Sequence, residues 1–230
     1  MRIRLILVSA LILTCIGNIG PLLNVTHAEG YLSGFGGIAA PGSLSNVIVT
    51  KQLSLFGVTS AARTADVDLE NTLTWGLKAG YFSERRKWLG LETEVFTFTP
   101  NMTAQPLIVA QPGQTAKGVD FSGAPVRVTA LALNVITREP SLGHFNPYGG
   151  VGPALFYSSS SAFPGKFRVT PGLNVIAGAS YYLTDQTAFF GEFRFNTVSV
   201  KVGGFVGDYS GQMFVGGISY HFDGPERTED

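Results

Sequence analysis

The stretches LTWGLKAGY at 73–81 and LGLETEVFTF at 89–98 decide the fold, because side chains of two kinds alternate along both. In the first stretch one row is apolar, and the row between its members is small or polar. The apolar row consists of Leu73, Trp75, Leu77, Ala79 and Tyr81, and the other row consists of Thr74, Gly76, Lys78 and Gly80. A period of two residues is typical of a β-strand whose two faces meet different surroundings. The two stretches therefore predict a pair of adjacent strands.

The same alternation recurs along most of the chain. It is clear at 126–136, 173–183, 189–195 and 214–222, and weaker at the glycine-rich 31–38 and 148–157. Short turns at 83–87, 139–143 and 184–186 alternate with long loops at 39–71, 100–117, 158–168 and 201–211. Short periplasmic turns and long extracellular loops are typical of outer-membrane barrels, and an even strand number permits closure without free edges. The sequence predicts an all-β fold, an eight-stranded antiparallel up-and-down transmembrane β-barrel.

The composition excludes several classes of protein. Only 14% of the 230 residues are charged, whereas a soluble domain usually carries about 25%. The 16 basic and 16 acidic residues cancel, which argues against a nucleic-acid binder because such a protein needs a basic surface. A mean hydropathy of +0.22 and 12% aromatic residues exclude a disordered chain.

The N-terminal segment 1–28 has the layout of a secretory signal peptide. Arg2 and Arg4 precede an apolar run at 5–16, and Ala28 supplies a small residue at the cleavage position. The apolar run is too short for a membrane-spanning helix of about 20 residues. Cleavage near Ala28 predicts a mature barrel domain at 29–222, followed by an acidic tail at 223–230.

The single cysteine, Cys15, lies inside the predicted signal peptide. One alternative makes it a lipid-anchor site, but Thr14 precedes it where a smaller residue is expected. With cleavage near Ala28, the mature chain has no thiol and therefore no disulfide and no cysteine-based metal site or nucleophile.

The composition of the two rows predicts which one faces lipid. A soluble barrel of lipocalin type is the alternative, but its outward row would be long and charged because it meets water. Here the polar row is short and rich in glycine, which suits the narrow lumen of an eight-stranded barrel. The apolar row carries aromatic residues near its ends, as expected for the two membrane interfaces.

Five charged residues are predicted to point into the lumen as an ion-pair network. They are Lys78, Glu92, Glu94, Glu192 and Arg194. Centring the turn on Arg85 places Lys78 opposite Glu92, and unlike charges across one rung stabilise each other. The network is interpreted as a structural core, and the alternative is an ion gate or proton path. The sequence predicts no catalytic, cofactor-binding or metal-ligating residues and no cofactor.

Several stretches resemble a family of small outer-membrane β-barrels that includes the transmembrane domain of outer-membrane protein A, the opacity proteins and the W-type porin. These stretches lie at 76–82, 89–96, 146–153, 189–195 and 216–222. The resemblance implies the barrel fold and the outer membrane, and it implies no single activity. Two features depart from the family. The acidic tail follows Phe222, where members commonly end on an aromatic residue, and no large periplasmic domain is present to suggest peptidoglycan tethering.

Two groups of residues suggest a more specific chemistry. Some barrels of this size resemble the lipid A deacylase, which uses a Ser-His-acid arrangement, and Ser219 and His221 share one face here. However, both lie at the short-turn end, away from lipid A in the outer leaflet. Asp66, Asp68 and Glu70 also share a face and are calcium-type ligands, although a solvated extension of the strand is favoured.

The sequence therefore predicts a non-enzymatic outer-membrane protein with a structural or surface-interaction role. Its long loops at 39–71 and 100–117 contain 47–49 and 107–109, which are predicted to be β-structured above the membrane. The alternatives are a small channel for apolar or small solutes and, second, a lipid A-modifying enzyme. The predicted partners are outer-membrane lipid, lipopolysaccharide, and the barrel-assembly machinery through the last strand ending at Phe222, with no nucleic acid.

Overall fold

The structure is a computed structural model that describes most of the predicted mature chain. The described residues are 29–49, 62–63, 66–109, 117–121, 123–160, 168–202 and 205–222. The predicted signal peptide at 1–28 and the predicted acidic tail at 223–230 lie outside them, and their assignment stays a prediction.

Fourteen β-strands and one short 3-10 turn, Pro140–Leu142, make up the described residues. In chain order the strands are β1 (Glu29–Ala40), β2 (Ser43–Val49), β3 (Ala62–Arg63), β4 (Val67–Asp68), β5 (Thr72–Phe82), β6 (Leu89–Phe98), β7 (Asn101–Met102), β8 (Gln105–Val109), β9 (Lys117–Phe121), β10 (Ala124–Arg138), β11 (Phe145–Ser160), β12 (Arg168–Tyr182), β13 (Thr187–Val202) and β14 (Phe205–His221). No helix in this part of the chain is long and apolar enough to cross a membrane.

Eight of these strands form a closed antiparallel barrel, which confirms the predicted fold. Their order is β1, β5, β6, β10, β11, β12, β13 and β14, and β14 pairs with β1 to close the sheet. Every neighbour in the barrel is also the next barrel strand along the chain. The topology is therefore up-and-down, and closure leaves the barrel without a free edge.

The last hairpin is longer than the sequence predicts. The segment 201–211 is predicted to be a loop, but β13 extends to Val202 and β14 begins at Phe205, with these two residues paired. The prediction is wrong because the alternation of Val198, Val200 and Val202 continues the strand, and β-branched residues favour extended backbone.

Additional strands extend from the barrel at the long-loop end. The prediction of β-structure at 47–49 and 107–109 is confirmed, because β2 pairs with the N-terminal part of β14 and β8 pairs with β9. β3 and β4 pair with β2, and β7 pairs with β10. This end of the molecule therefore carries more ordered backbone than simple loops would supply.

The outward rows of the barrel are apolar, as predicted. Leu73 is 75% exposed and Trp75 is 63% exposed, while Thr74 between them is buried inside. An apolar row of this size facing water would be unfavourable, whereas lipid accepts it. The lipocalin alternative is therefore excluded, because that type of barrel places its apolar row inside.

Glycine positions make room for large rings in the lumen. A Cβ on Gly76 would lie 2.5 Å from Cζ of Phe35 and 2.8 Å from Cβ of Phe96. Another on Gly217 would lie 2.6 Å from Cζ of Phe190. Glycine is therefore required sterically at both positions, because any side chain there would collide with a buried aromatic ring.

Candidate functional site

Two polar clusters lie in the lumen, on the periplasmic side of a layer of aromatic rings. The central network consists of Lys78, Glu92, Glu94, Glu192 and Arg194, and the periplasmic cluster consists of Glu29, Arg138, Tyr182, Ser219 and His221. The aromatic plug on the loop side consists of Phe35, Phe96, Phe98, Phe156 and Tyr209. These three layers determine what can enter the barrel.

The structure brings all five sequence-predicted residues of the central network together. Arg194 contacts two carboxylates, with its Nη1 at 2.5 Å from Oε2 of Glu94 and its Nε donating to Oε2 of Glu192 at 2.7 Å. Lys78 forms an ion pair with Glu192 across the lumen, and its Nζ lies 3.3 Å from Oε2 of Glu92. Each cation is therefore shared between two carboxylates.

The predicted pairing of Lys78 with Glu92 is wrong, because the register of β6 against β5 is shifted by two residues. Lys78 faces Glu94 directly, and Glu92 faces Gly80. The turn is centred one residue later than assumed, because Ser83 donates from its backbone N–H to the carbonyl of Leu89. Lys78 still reaches Glu92, since its long side chain spans the diagonal between neighbouring rungs.

Four polar side chains that sequence reasoning missed complete the central network. Tyr31 donates to Oε2 of Glu92 at 2.7 Å, and Tyr148 donates to Oε1 of Glu192 at 2.5 Å. Glu94 accepts at Oε1 from Asn134 at 3.2 Å and from Asn174 at 2.6 Å. The inward rows of the sequence indicate that these side chains point into the lumen. The rows do not indicate which residue each side chain contacts.

Aromatic rings cover the two cations. The guanidinium carbon of Arg194 lies 4.0 Å from the centroid of the Phe35 ring, and Nζ of Lys78 lies 4.2 Å from that of Phe190. A desolvated cation over an aromatic face gains about 2 kcal/mol. The rings also exclude water, so the ion pairs act in a low-dielectric environment.

The periplasmic cluster links four barrel strands, β1, β10, β12 and β14, next to the seam between β1 and β14. Glu29 on β1 accepts from Arg138 on β10, with Nη1 to Oε1 at 2.8 Å, and the pair is bidentate. Nδ1 of His221 on β14 lies 2.8 Å from the same Oε1. Sequence reasoning identified Ser219 and His221 but missed Glu29 and Arg138, because they come from distant strands.

The periplasmic cluster has the connectivity of a Ser-His-acid set. Oγ of Ser219 lies 3.1 Å from Nε2 of His221, and Glu29 contacts the other ring nitrogen. The backbone N–H groups of β14 around Ser219 pair with β1 and β13, so they are not available to an oxyanion. Ser219 is also 4% exposed, and Ser33 donates to its hydroxyl at 2.9 Å.

A small cavity separates the two polar clusters. Its volume is about 30 Å³, enough for one or two water molecules. Among its lining residues are Lys78 and Glu92 from the central network and Arg138, Ser219 and His221 from the periplasmic cluster. The central network and the aromatic plug lie beyond it toward the loops, so the described lumen is blocked.

The acidic group at 66–70 does not form a three-carboxylate cluster in the structure. Asp68 pairs with Ser43 across β4 and β2, and Glu70 accepts from Nδ2 of Asn101 at 3.1 Å. All three carboxylates are exposed. Among the residues that the structure describes, no group of three or more His, Cys, Asp or Glu is arranged to hold a metal ion.

Comparison with known proteins identifies the fold. No family model and no curated protein sequence matches the chain. The solved structure of Neisserial surface protein A matches with a TM-score of 0.51 and 17% identity, over 84% of this chain and 97% of that one. Outer membrane protein OprG from Pseudomonas aeruginosa matches with a TM-score of 0.52 and 17% identity, over 86% of this chain and 98% of that one.

These findings together define the class of protein. The chain is an eight-stranded β-barrel of the kind found in the outer membranes of Gram-negative bacteria, and its outward apolar rows match a lipid environment. It lies in the cell outer membrane. At these identities the likeness concerns the fold, and the activity must be argued from the chain's own residues.

Proposed function

We propose that this protein is a non-enzymatic outer-membrane barrel that acts through its extracellular segments, in a structural or surface-interaction role. The observation that carries the proposal is the blocked lumen, in which the central network and the aromatic plug lie across the space between the strands. A barrel that transmits nothing through its lumen acts through its outer surfaces.

The long-loop end offers the surface for such a role. β2 extends the sheet beside the N-terminal part of β14, and the β8–β9 hairpin forms a second sheet of its own. Binding residues are often carried by loops on a rigid scaffold, and the barrel supplies that scaffold. We therefore place the interaction surface on these segments.

Lipid and the assembly machinery are proposed partners for the rest of the molecule. The outward rows suit contact with outer-membrane lipid and lipopolysaccharide. Phe222 follows β14, is 58% exposed and donates from its backbone N–H to the carbonyl of Gly30 at 2.9 Å. This position at the seam suits recognition of the last strand by the barrel-assembly machinery.

A small channel is the first alternative, and the cavity between the two polar clusters is the observation that favours it. The lipid A-modifying enzyme is the second, and the Ser219–His221–Glu29 set favours it. The set lies at the short-turn end, whereas lipid A lies in the opposite leaflet. Neither alternative accounts for the plug.

Planar-bilayer recording of the purified folded barrel tests the proposal against the channel. We expect no stable large conductance step, because ions cannot cross a layer of buried ion pairs and packed rings. A mock preparation from the same host without the expressed protein controls for contaminating porins. A stable large step that appears only with the folded protein would refute the blocked lumen.

A further inference from the structure

The central network carries an unbalanced charge. Its three carboxylates, on Glu92, Glu94 and Glu192, share only two cations, on Lys78 and Arg194. All five side chains are at most 4% exposed. A net negative charge in a low-dielectric interior is costly unless a positive charge compensates it.

Polar atoms without partners lie next to this network. Within the described part of the chain, Oδ1 of Asn174, both amide atoms of Asn196 and Oη of Tyr209 are buried and have no hydrogen-bond partner. Asn174 and Asn196 are fully buried. Buried polar groups nearly always have partners, so several unpaired atoms in one region point to a bound group.

The sheet register places these atoms side by side. Nδ2 of Asn174 donates to Oε1 of Glu94 at 2.6 Å, and Asn174 faces Asn196 directly across β12 and β13. Asn196 in turn faces Gly211 on β14. A Cβ on Gly211 would collide with Oη of Tyr209, so the phenol group lies over that glycine. Asn174, Asn196 and the phenol group of Tyr209 therefore lie on neighbouring inward positions beside Glu94.

We propose that the lumen binds one monovalent cation, with part of its hydration shell, between Glu94 and the side chains of Asn174, Asn196 and Tyr209. Hard cations prefer oxygen ligands, and carboxylate, amide and phenol oxygens are all present. A single excess negative charge matches a single positive charge. The amide nitrogen of Asn196 is a donor and bonds to a water of the hydration shell.

Glu94 is the carboxylate assigned to the cation because it is bonded to Asn174, whose Oδ1 has no hydrogen-bond partner. Glu192 contacts both Lys78 and Arg194, and Glu92 contacts Lys78 and the hydroxyl of Tyr31. Glu94 contacts the guanidinium of Arg194, which it shares with Glu192, and it accepts from the side-chain amides of Asn134 and Asn174. A proton on Glu94 would also remove the excess charge, but it would leave the atoms of Asn196 and Tyr209 without partners.

The test measures the heat stability of the folded barrel in different salts. Purified protein is folded in detergent in sodium, potassium or N-methylglucamine chloride at one ionic strength. The unfolding temperature is read from the gel shift, that is, the difference in SDS gel mobility between the folded barrel and the heat-unfolded chain. We expect a midpoint at least about 3 °C higher in sodium or potassium, because a ligand that binds only the folded state stabilises it. Equal midpoints in all three salts would refute the proposal.

Two variants locate the effect. Glu94→Gln removes the excess charge, so its midpoint should not depend on the cation, whereas Glu84→Gln, in the exposed β5–β6 turn, should keep the full dependence. Cation dependence that survives Glu94→Gln would refute the site. Folding the wild-type barrel in ²²Na⁺, followed by equilibrium dialysis against the same ²²Na⁺ buffer, tests the site without any variant. The barrel should retain about one ion per folded chain, and retention equal to that of the boiled protein would contradict the proposal.

Discussion

At the scale of single residues, Arg194 is the side chain on which the lumen depends most. It is fully buried, and it contacts Glu94 and Glu192 while the Phe35 ring covers it. A buried ion pair adds little net stability by itself, but removing one member leaves uncompensated charge. Here one cation compensates two carboxylates, so its loss has a larger effect than a single pair would.

Replacing Arg194 by Met should lower the free energy of unfolding by about 3–5 kcal/mol, because Glu94 and Glu192 would remain buried without it. The measurement is denaturant unfolding of the folded barrel in detergent, followed by the gel shift.

The matched control for this prediction is Arg85→Met, since Arg85 lies exposed in the β5–β6 turn. That variant should unfold like the wild type. The double variant Arg194→Met with Glu94→Gln should recover part of the loss. If Arg194→Met were as stable as the control, the central network would have no structural role.

At the scale of elements, the inward faces of the strands are fitted to one another by size. Gly76 on β5 lies beside the rings of Phe35 on β1 and Phe96 on β6. The lumen of an eight-stranded barrel leaves room for side chains and little else, so a large residue on one strand requires a small one on its neighbour. The lipid face carries no such constraint, because lipid adapts to its shape.

Gly76→Ala should therefore destabilise the barrel by about 1–3 kcal/mol, since the new methyl group would overpack the lumen. Gly191→Ala is the control, because a Cβ there meets no atom within 4 Å and Gly191 lies on the outward face of β13. Both variants are compared by denaturant unfolding midpoints. Equal midpoints would show that the lumen can expand and that the tight packing at Gly76 is not limiting.

At the scale of the whole molecule, the barrel exposes apolar side chains where a soluble protein exposes polar ones. The five charged residues of the central network are buried inside it, and many large apolar residues face outward, where Leu133 is 56% exposed and Phe214 is 59% exposed. Such a distribution is stable only where the surroundings are lipid. The closing pair of β1 with β14 and the bond between Glu29 and His221 at its periplasmic end hold the ring of strands together.

Leu133→Arg should lower the stability of the barrel in lipid by about 2–4 kcal/mol, because it places a charge on the lipid face of β10. Leu142→Arg is the control. Leu142 is exposed to a similar degree, at 53%, but it lies in the short turn between β10 and β11. Folding yield into lipid vesicles, read by the gel shift, distinguishes the two. A normal yield for Leu133→Arg would mean that this face of β10 does not meet lipid.

The sequence by itself determined the number of barrel strands, their direction, and which row of each faces lipid. These properties follow from a period of two residues and from local composition, which neighbouring residues carry without help from the rest of the chain. All five residues of the central network were identified in this way, because charges in the row opposite the lipid-facing row must point into the lumen.

Only the tertiary structure decided which residues meet. Lys78 pairs with Glu192, which is 114 positions away, and Glu29 joins Arg138 and His221 from two other strands. Closure of the barrel brings such strands together, and the register of each hairpin sets the height of every side chain. The β5–β6 turn is centred one residue later than predicted, so Lys78 faces Glu94 instead of Glu92. Periodicity fixes the face of a residue, whereas its partner depends on the curvature and stagger of the closed sheet.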